Sequence, residues 1–430
     1  MYAIKDNEGK SKTERPISGK NPVIQRAVGF EFGYPYWWLM KMIERDPEET
    51  DEEYKSRKFY RKGDCIHEAN FWKTTADTTE QRLSYMEIIT DPFNENDHGI
   101  AKLNKVMDEI DSFLEEIMDA DAYVHPEGFV TPLAPCIKYG KLLDPLAAVY
   151  YDNGKQVPTS NPQATAGVRL DKISELFLHL GADEASDPEI MKQGKTLGHK
   201  YLMSYEGERR EKDFQGRVMR WARDNALYLA DALQQNLREP VSSSFVGFAT
   251  MILFYLVSGH VGAGKYAKSF ITVLARTDFA TMFKILPTDE KEILRSDNGA
   301  WWMSKLVEVL PDKQTNLDEP FFAKGIFLME QPILHHILKD LTKKKWLTGI
   351  LEGVDYLTEK NFPNRLRAYE LESMGAMGDK TDVVFGIPAP IFELRGGKHQ
   401  VDMRETKDYA INTLKFMRSL HHDRGDFWGE

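Results

Sequence analysis

The sequence predicts an α+β fold, a mixed α/β architecture in which a curved, largely antiparallel sheet carries helices on its outer face. Two observations predict this class. Both ends of the chain contain runs with the two-residue period of strands, and the middle contains runs with the period of helices. We therefore expect the N- and C-terminal strands to converge in one sheet, and residues 23–430 to form a single catalytic-sized domain.

The composition of the 430 residues is that of a globular protein, with 42% hydrophobic and 29% charged residues. A formal net charge of −11 argues against a nucleic-acid partner. With two cysteines the chain cannot have a disulfide framework. Residues 1–22 are polar and lack the apolar run of a signal peptide, which predicts a disordered leader and a cytoplasmic location in the producing cell.

The first predicted element is a strand over AVGFEF, in which Phe30 and Phe32 lie on one face and Glu31 on the other. FWKTTAD and YMEIIT then predict a β-hairpin, with Glu87 and Ile89 on one face of its second strand. Both strands therefore combine an apolar face with a face that carries a glutamate.

Residues 99–119 carry one apolar stripe with helical spacing and predict an amphipathic helix. Residues 120–160 are rich in Pro and Gly, and we expect a long irregular excursion there. NPQATAGVRLDKISELFLHLG predicts a short strand and then a helix from Leu170 or Asp171.

The middle of the chain, from about residue 217 to 345, is predicted to be mainly helical, and the polar residues 182–216 before it are a candidate lid or insertion. Within it, residues 243–258 are apolar nearly all round. Their uninterrupted apolar run of about 13 residues is shorter than the roughly 20 that a membrane span needs. A buried core helix is therefore favoured, and membrane insertion stays open as an alternative function.

Near the C-terminus, PIFELRGG predicts a strand followed by a closing helix over INTLKFMRSLHHD. Ile391, Glu393 and Arg395 share one face of this strand, and Phe392 and Leu394 share the other. An exposed ion pair between neighbouring charges would contribute only about 0–1 kcal/mol and would need no further explanation. The same arrangement of a glutamate on an apolar strand nevertheless occurs three times along the chain.

Three strands thus present Glu31, Glu87 and Glu393, and Asp77 lies close to the hairpin turn. Because an isolated buried carboxylate is costly to ionise, these faces should either converge or all be exposed. Convergence would require cations such as Mg2+ or Mn2+, which prefer hard oxygen ligands. Arg395 could then bind a phosphate or a carboxylate, and the set would suit phosphoryl transfer from a nucleotide.

The order of these motifs is that of a known family. GFEF, Asp77 with the EIITDPF strand, an amphipathic helix and FELRGG before a closing helix resemble the amidoligase branch of the glutamine-synthetase-like carboxylate–amine ligases. The resemblance implies a glutamine-synthetase-like fold and an ATP-dependent reaction with Mg2+ or Mn2+. In that reaction a carboxylate becomes an acyl phosphate, and an amine displaces the phosphate.

The resemblance also implies a role for individual residues. The implied metal ligands are Glu31, Glu87 and Glu393. Arg395 would hold the transferring phosphate, and Asp77 would support the metal or amine site. Arg276 in ARTDF and Lys268 shortly before it are further candidates for nucleotide phosphate, although ARTDF could equally cap a helix.

Two departures from the family pattern keep an alternative open. The second glutamate of the first motif is Gly33, and the strand that should carry histidine offers only Gln163, Thr165 and Arg169 as polar side chains. Fewer ligands lower the affinity for a metal. A binding or packing module that keeps the fold but has lost catalysis is therefore the second hypothesis.

A second resemblance concerns the biological setting. KNPVIQRAVGFEF, PQATAGVRLDKI and LARTDFATMF are similar to segments of cargo proteins of extracellular contractile injection systems. This resemblance implies a bacterial toxin or effector that associates with an injection-system particle or a loading chaperone. It would be delivered into a target cell, where it would modify a protein or a metabolite.

Overall fold

The computed structural model describes most of the chain between residues 27 and 422. The described ranges are 27–43, 46–50, 52–53, 57, 59–80, 83–120, 123–125, 128–133, 138–151, 159–181, 209–261, 273–311, 315–321, 341–358, 378–395 and 401–422. The predicted leader, Lys268 and residues 182–208 of the candidate lid lie outside them.

Groups of consecutive strands are separated along the chain by one or more helices. The strands are β1 (Ala27–Lys41), β2 (Cys65–Glu68), β3 (Trp72–Glu80), β4 (Leu83–Thr90), β5 (Phe93–Asn94), β6 (Tyr123–His125), β7 (Gly128–Pro132), β8 (Lys141–Leu142), β9 (Ala147–Tyr151), β10 (Thr159–Gly167), β11 (Val273–Ala275), β12 (Thr381–Val384), β13 (Ile387–Arg395) and β14 (Val401–Asp402). The helices are α1 (Asp97–Asp119), α2 (Leu170–Gly181), α3 (Arg209–Gln234), α4 (Ser243–Val261), α5 (Phe279–Ile285), α6 (Thr288–Val309, with a kink at residues 296–299), α7 (Lys343–Glu352) and α8 (Met403–His421).

The strands form one sheet whose backbone follows the order β11-β13-β10-β1-β4-β3-β2-β8. The pairings along this path are antiparallel. Strand β10 lies between β1 and β13, so the N- and C-terminal strands converge as predicted. The α+β class with a large antiparallel sheet is thereby confirmed.

One face of the central strands is apolar and packs on helices. Phe30 and Phe32 of β1 are fully buried, and the ring of Tyr409 from α8 meets Phe30 edge-on with centroids 6.3 Å apart. Helix α8 also packs against α1, so these two helices cover this back face of the sheet. Because side chains alternate along a strand, the residues between these phenylalanines point to the opposite face, which is called the front face below.

Helix α4 lies in the core of a helical layer formed with α2 and α3. Its residues 245–257 are buried with few exceptions, which explains an apolar surface nearly all round. Gly247 allows close packing, because a Cβ there would lie 1.8 Å from the carbonyl oxygen of Leu170. Within the described residues, no helix is both long and apolar enough to cross a membrane.

The structure differs from the predictions in three local details. Residues 120–160 contain β6 to β9, and β9 pairs with the C-terminal half of β1, whose length exceeds that of the predicted strand. The helical middle contains a strand, β11, because its buried backbone pairs with the edge of β13. Residues 209–216 of the candidate lid belong to α3.

Candidate functional site

The predicted site residues lie on the front face of the central strands. Glu31 on β1 is paired with Gln163 on β10, which is paired in turn with Arg395 on β13. Two residues farther along β1, Gly33 is paired with Glu87 on β4. Residues that face each other across antiparallel strands share a face. The three segments singled out in the sequence therefore contribute to one surface.

The three glutamates form a diagonal across this surface, with Glu31 in the middle. Strand spacing and rise per residue place the Cα of Glu31 about 8 Å from that of Glu87 and about 12 Å from that of Glu393. The same spacing separates the Cα atoms of Glu87 and Glu393 by about 20 Å. The register thus places Glu31 between two neighbouring carboxylates that lie far apart from each other.

Glu393 is buried and sits between two guanidinium groups. Arg395 Nε donates to its Oε1 at 2.6 Å, and Arg276 Nε lies 3.7 Å from its Oε2. Arg276 reaches this position because its backbone N–H donates to the carbonyl oxygen of Ile391, which continues the β11–β13 pairing. The charges of PIFELRGG are therefore not an exposed pair, since Glu393 is only 6% exposed.

At the other end of the diagonal, carboxylates outnumber cations among the residues that the structure describes. Burial raises the pKa of Glu87 to about 8, with further contributions from the charges of Asp77 and Glu31. Thr75 Oγ1 donates to Glu87 Oε2 at 3.3 Å, and Lys62 Nζ lies 2.7 Å from Asp77 Oδ1. Protonation at Glu87 is favoured because its ionised form is poorly solvated and repelled by its neighbours.

The pKa of Glu31 depends on charged groups at both ends of the diagonal. Burial raises its pKa, and the charge of Glu393 raises it further, whereas Arg276 and Arg395 act in the opposite direction. Asp77 also raises the pKa of Glu31. This shared influence agrees with the central position that the register assigns to Glu31.

Two features of the site were missed or left open by the sequence. Lys62 precedes β2 in a polar, charged segment, and nothing in its local pattern indicates that it pairs with Asp77. In ARTDF, Asp278 caps α5 by accepting from the backbone N–H of Thr281 at 2.6 Å, while Arg276 reaches Glu393. The capping role is therefore confirmed for Asp278, and phosphate binding by Arg276 stays a prediction.

The donor chemistry fits a divalent cation, because buried carboxylates that raise each other's pKa would be relieved by positive charge. The carboxylates are nevertheless farther apart than the ligands of one metal ion. Among the described residues, no three His, Cys, Asp or Glu side chains are close enough to hold one metal ion. Metal ligation by Glu31, Glu87 and Glu393 therefore stays a prediction, and it requires the side chains to move toward a bound ion.

A cleft of about 540 Å3 opens on the front face beside this diagonal. Its lining includes Glu31, Glu393 and Arg276, together with Thr165 and Asp382. A volume of this order accommodates a small molecule or the end of a long side chain. A substrate in this cleft would therefore contact Glu393 and Arg276, at one end of the diagonal.

Comparison with known proteins identifies no family. No protein-family model and no curated protein matches the chain. Two solved structures from Vibrio cholerae are similar to it, each at 11% sequence identity. One is the ACD domain of a VgrG toxin, a glutamate-to-glutamine mutant in complex with ADP and Mn2+, with 91% of this chain and 99% of that chain covered at a TM-score of 0.42. The other is a toxin of the MARTX/VgrG family, with 90% and 96% covered at 0.41. A likeness at this level does not establish a shared activity.

Proposed function

We propose that the protein is a nucleotide- and metal-dependent enzyme that activates a carboxylate by phosphorylation and joins it to an amine. The observation that carries this proposal is the uneven charge along the front-face diagonal. Carboxylates dominate at Glu87 and Asp77, and two guanidiniums surround Glu393 at the other end. Such a surface offers binding for a cation and for phosphate oxygens side by side.

In this proposal each residue of the site has a separate role. Glu31, Glu87 and Glu393 would hold one or two Mg2+ or Mn2+ ions, with Glu31 shared because it lies between the others. A bound divalent ion would supply positive charge that polarises the phosphoryl oxygens. Arg395 and Arg276 would orient the phosphate, since guanidinium groups bind its oxygens with a planar fork. Asp77 would position the cation end through its contact with Lys62.

A glutamine-synthetase-like sheet and the setting of an injection-system effector form part of the same proposal. Both rest on the sequence resemblances to amidoligases and to injection-system cargo. The target would be a protein side chain or a metabolite of the cell that receives the protein. Association with an injection-system particle or a loading chaperone would precede delivery.

The test measures ADP formation from ATP with Mg2+ or Mn2+ in wild type, Glu31→Gln and Arg395→Ala. Removing a charge that acts on the transition state should cost about 2–4 kcal/mol, which is a decrease of roughly 30- to 1000-fold in kcat/KM. Arg238→Ala, at an exposed arginine, is the matched control and should retain wild-type turnover. Equal turnover in all four proteins would refute the assignment of these residues.

The second candidate function is a binding or packing module that has lost catalysis. It is favoured by the carboxylate spacing within the described residues and by Gly33, which supplies no ligand on the row of Glu87. It predicts that ATP with Mg2+ does not raise the unfolding temperature, because a ligand that does not bind cannot stabilise the folded state. A ligand-dependent rise in wild type that is absent in Glu31→Gln would contradict it.

A further inference from the structure

Asp382 occupies an unusual place on the front face. It lies on β12, opposite Ala389 of β13, yet its side chain packs over Gly167 of β10. A Cβ placed on Gly167 would lie 2.5 Å from the Cβ of Asp382 and 2.9 Å from its Oδ2. The absence of a side chain at Gly167 is therefore what allows the Asp382 carboxylate to reach the cleft.

The carboxylate is held in place by backbone groups. Val383 N–H donates to Asp382 Oδ1 at 2.7 Å, and the backbone N–H of Ala27 also contributes a hydrogen bond. The ion pairs of the described residues do not include Asp382. Burial raises the pKa of Asp382 and the charge of Glu95 adds to this, whereas the two backbone hydrogen bonds and the charge of His421 act in the opposite direction without cancelling the rise. A half-buried carboxylate of this kind is stabilised by an incoming cation.

The residues around Asp382 indicate which kind of cation could bind there. Arg276 lies opposite Ile391, which pairs with Gly167, so the Cα atoms of Arg276 and Gly167 are about two strand spacings, or about 10 Å, apart. Glu393, at the end of the diagonal, pairs with Thr165 in the neighbouring front-face row. A compact ammonium at the end of a flexible chain could reach Asp382 while the reacting carboxylate lies toward the arginines.

We propose that Asp382 is the anchor for the amine substrate, a primary ammonium at the end of a flexible chain, in the ligation described above. This inference rests on the proposed function for its chemistry. The ammonium gives one proton to the Asp382 carboxylate, and the nitrogen lone pair forms the C–N bond at the acyl carbon. The C–O bond to phosphate breaks, and the phosphate leaves with the bonding pair and takes the second nitrogen proton. The products are the amide, hydrogen phosphate and protonated Asp382.

The first experiment measures binding without turnover. n-Butylammonium, n-butanol and butyrate are titrated into the full chain, and binding is followed by ligand-observed NMR. We expect n-butylammonium to bind wild type and to bind Asp382→Asn at least about tenfold more weakly, a loss of about 1.4 kcal/mol. Asp379→Asn, at an exposed aspartate three residues away, is the matched control and should bind like wild type. Equal binding of n-butanol, or unchanged binding in Asp382→Asn, would overturn the assignment.

Gly167→Ala provides a second, independent perturbation. The added methyl group must displace Asp382 from its position, so it should weaken n-butylammonium binding while leaving the aspartate in the chain. Circular dichroism of each variant reports whether the fold is retained. Wild-type affinity in folded Gly167→Ala would contradict the proposed position of the amine.

The second experiment separates this inference from the proposed function. ATP, Mn2+ and glutarate are supplied with either n-butylamine or hydroxylamine, a neutral nucleophile that traps acyl phosphates without an ammonium site. If both proposals hold, Asp382→Asn raises the KM for n-butylamine at least about tenfold and retains hydroxamate formation. Loss of both products to the same extent in that variant would refute a role confined to the amine. If wild type forms no hydroxamate but binds n-butylammonium through Asp382, the proposed reaction fails and the amine site stands.

Discussion

The stability of the metal-free protein should reveal the charge crowding around Glu87. Replacing Glu87 by Gln keeps the shape of the side chain and an oxygen that can accept from Thr75. It removes the carboxylate whose ionised form is disfavoured by burial and by Asp77 and Glu31. We therefore expect Glu87→Gln to be more stable than wild type at neutral pH, although a substitution at a buried polar site usually destabilises.

The magnitude follows from the pKa of Glu87, which is about 8 in the folded protein against 4.5 for the free side chain. Below the lower value both states are protonated, and no difference is expected. As the pH rises from there toward 8, the unfolded state ionises first and gains about 1.4 kcal/mol per pH unit over the folded state. Wild type should therefore be less stable than Glu87→Gln by under about 1 kcal/mol at pH 5 and by up to about 3 kcal/mol at pH 7.

Urea unfolding monitored by tryptophan fluorescence at pH 5, 6, 7 and 8, in EDTA, measures this difference. Glu292→Gln, at an exposed glutamate of α6, is the matched control and should follow wild type at every pH. If the free energies of unfolding of Glu87→Gln and wild type stay parallel over this range, the pKa of Glu87 is not raised by its surroundings. The account of the carboxylate end of the diagonal would then be wrong.

Two further predictions concern the framework behind the site. Gly247→Ala should destabilise the protein by about 2 kcal/mol or more, because its methyl group must push α4 away from the Leu170 carbonyl. Gly33→Ala is the control, since its methyl group meets open space and should not destabilise the protein. Thermal unfolding of the two variants compares their stabilities. Asp355→Ala should cost about 3 kcal/mol or more in urea unfolding, because three buried N–H donors at 2.8–2.9 Å lose their acceptor; an effect below 1 kcal/mol would contradict this.

Local side-chain alternation predicted much of the front face. The period of two in GFEF, YMEIIT and PIFELR assigns Glu31, Glu87 and Glu393 to the face opposite the apolar residues, and the observed registers confirm that these faces coincide. This succeeds because alternation is a property of a few consecutive residues. It needs no knowledge of which strand pairs with which.

The contacts that complete the site depend on strand order and could not be predicted in this way. Arg276 reaches Glu393 across 117 sequence positions because β11 adds to the edge of β13. Asp382 reaches the front face because β12 folds back over Gly167. Such contacts are set by tertiary pairing, which depends on the whole chain and leaves no periodic signal in either segment.

The loss of stability caused by the Glu87 carboxylate also distinguishes the two candidate functions, an enzyme and a module without a metal site. An enzyme that binds Mn2+ at this end of the diagonal gains stability by mass action, and an ion at 100 times its Kd contributes about 2.7 kcal/mol. This gain is close to the cost of about 3 kcal/mol derived for the metal-free protein at pH 7. Mn2+ at this concentration should therefore narrow the difference between wild type and Glu87→Gln, because the variant lacks one carboxylate ligand and gains less. A module that has lost its metal site would show the full difference between the two proteins at every Mn2+ concentration.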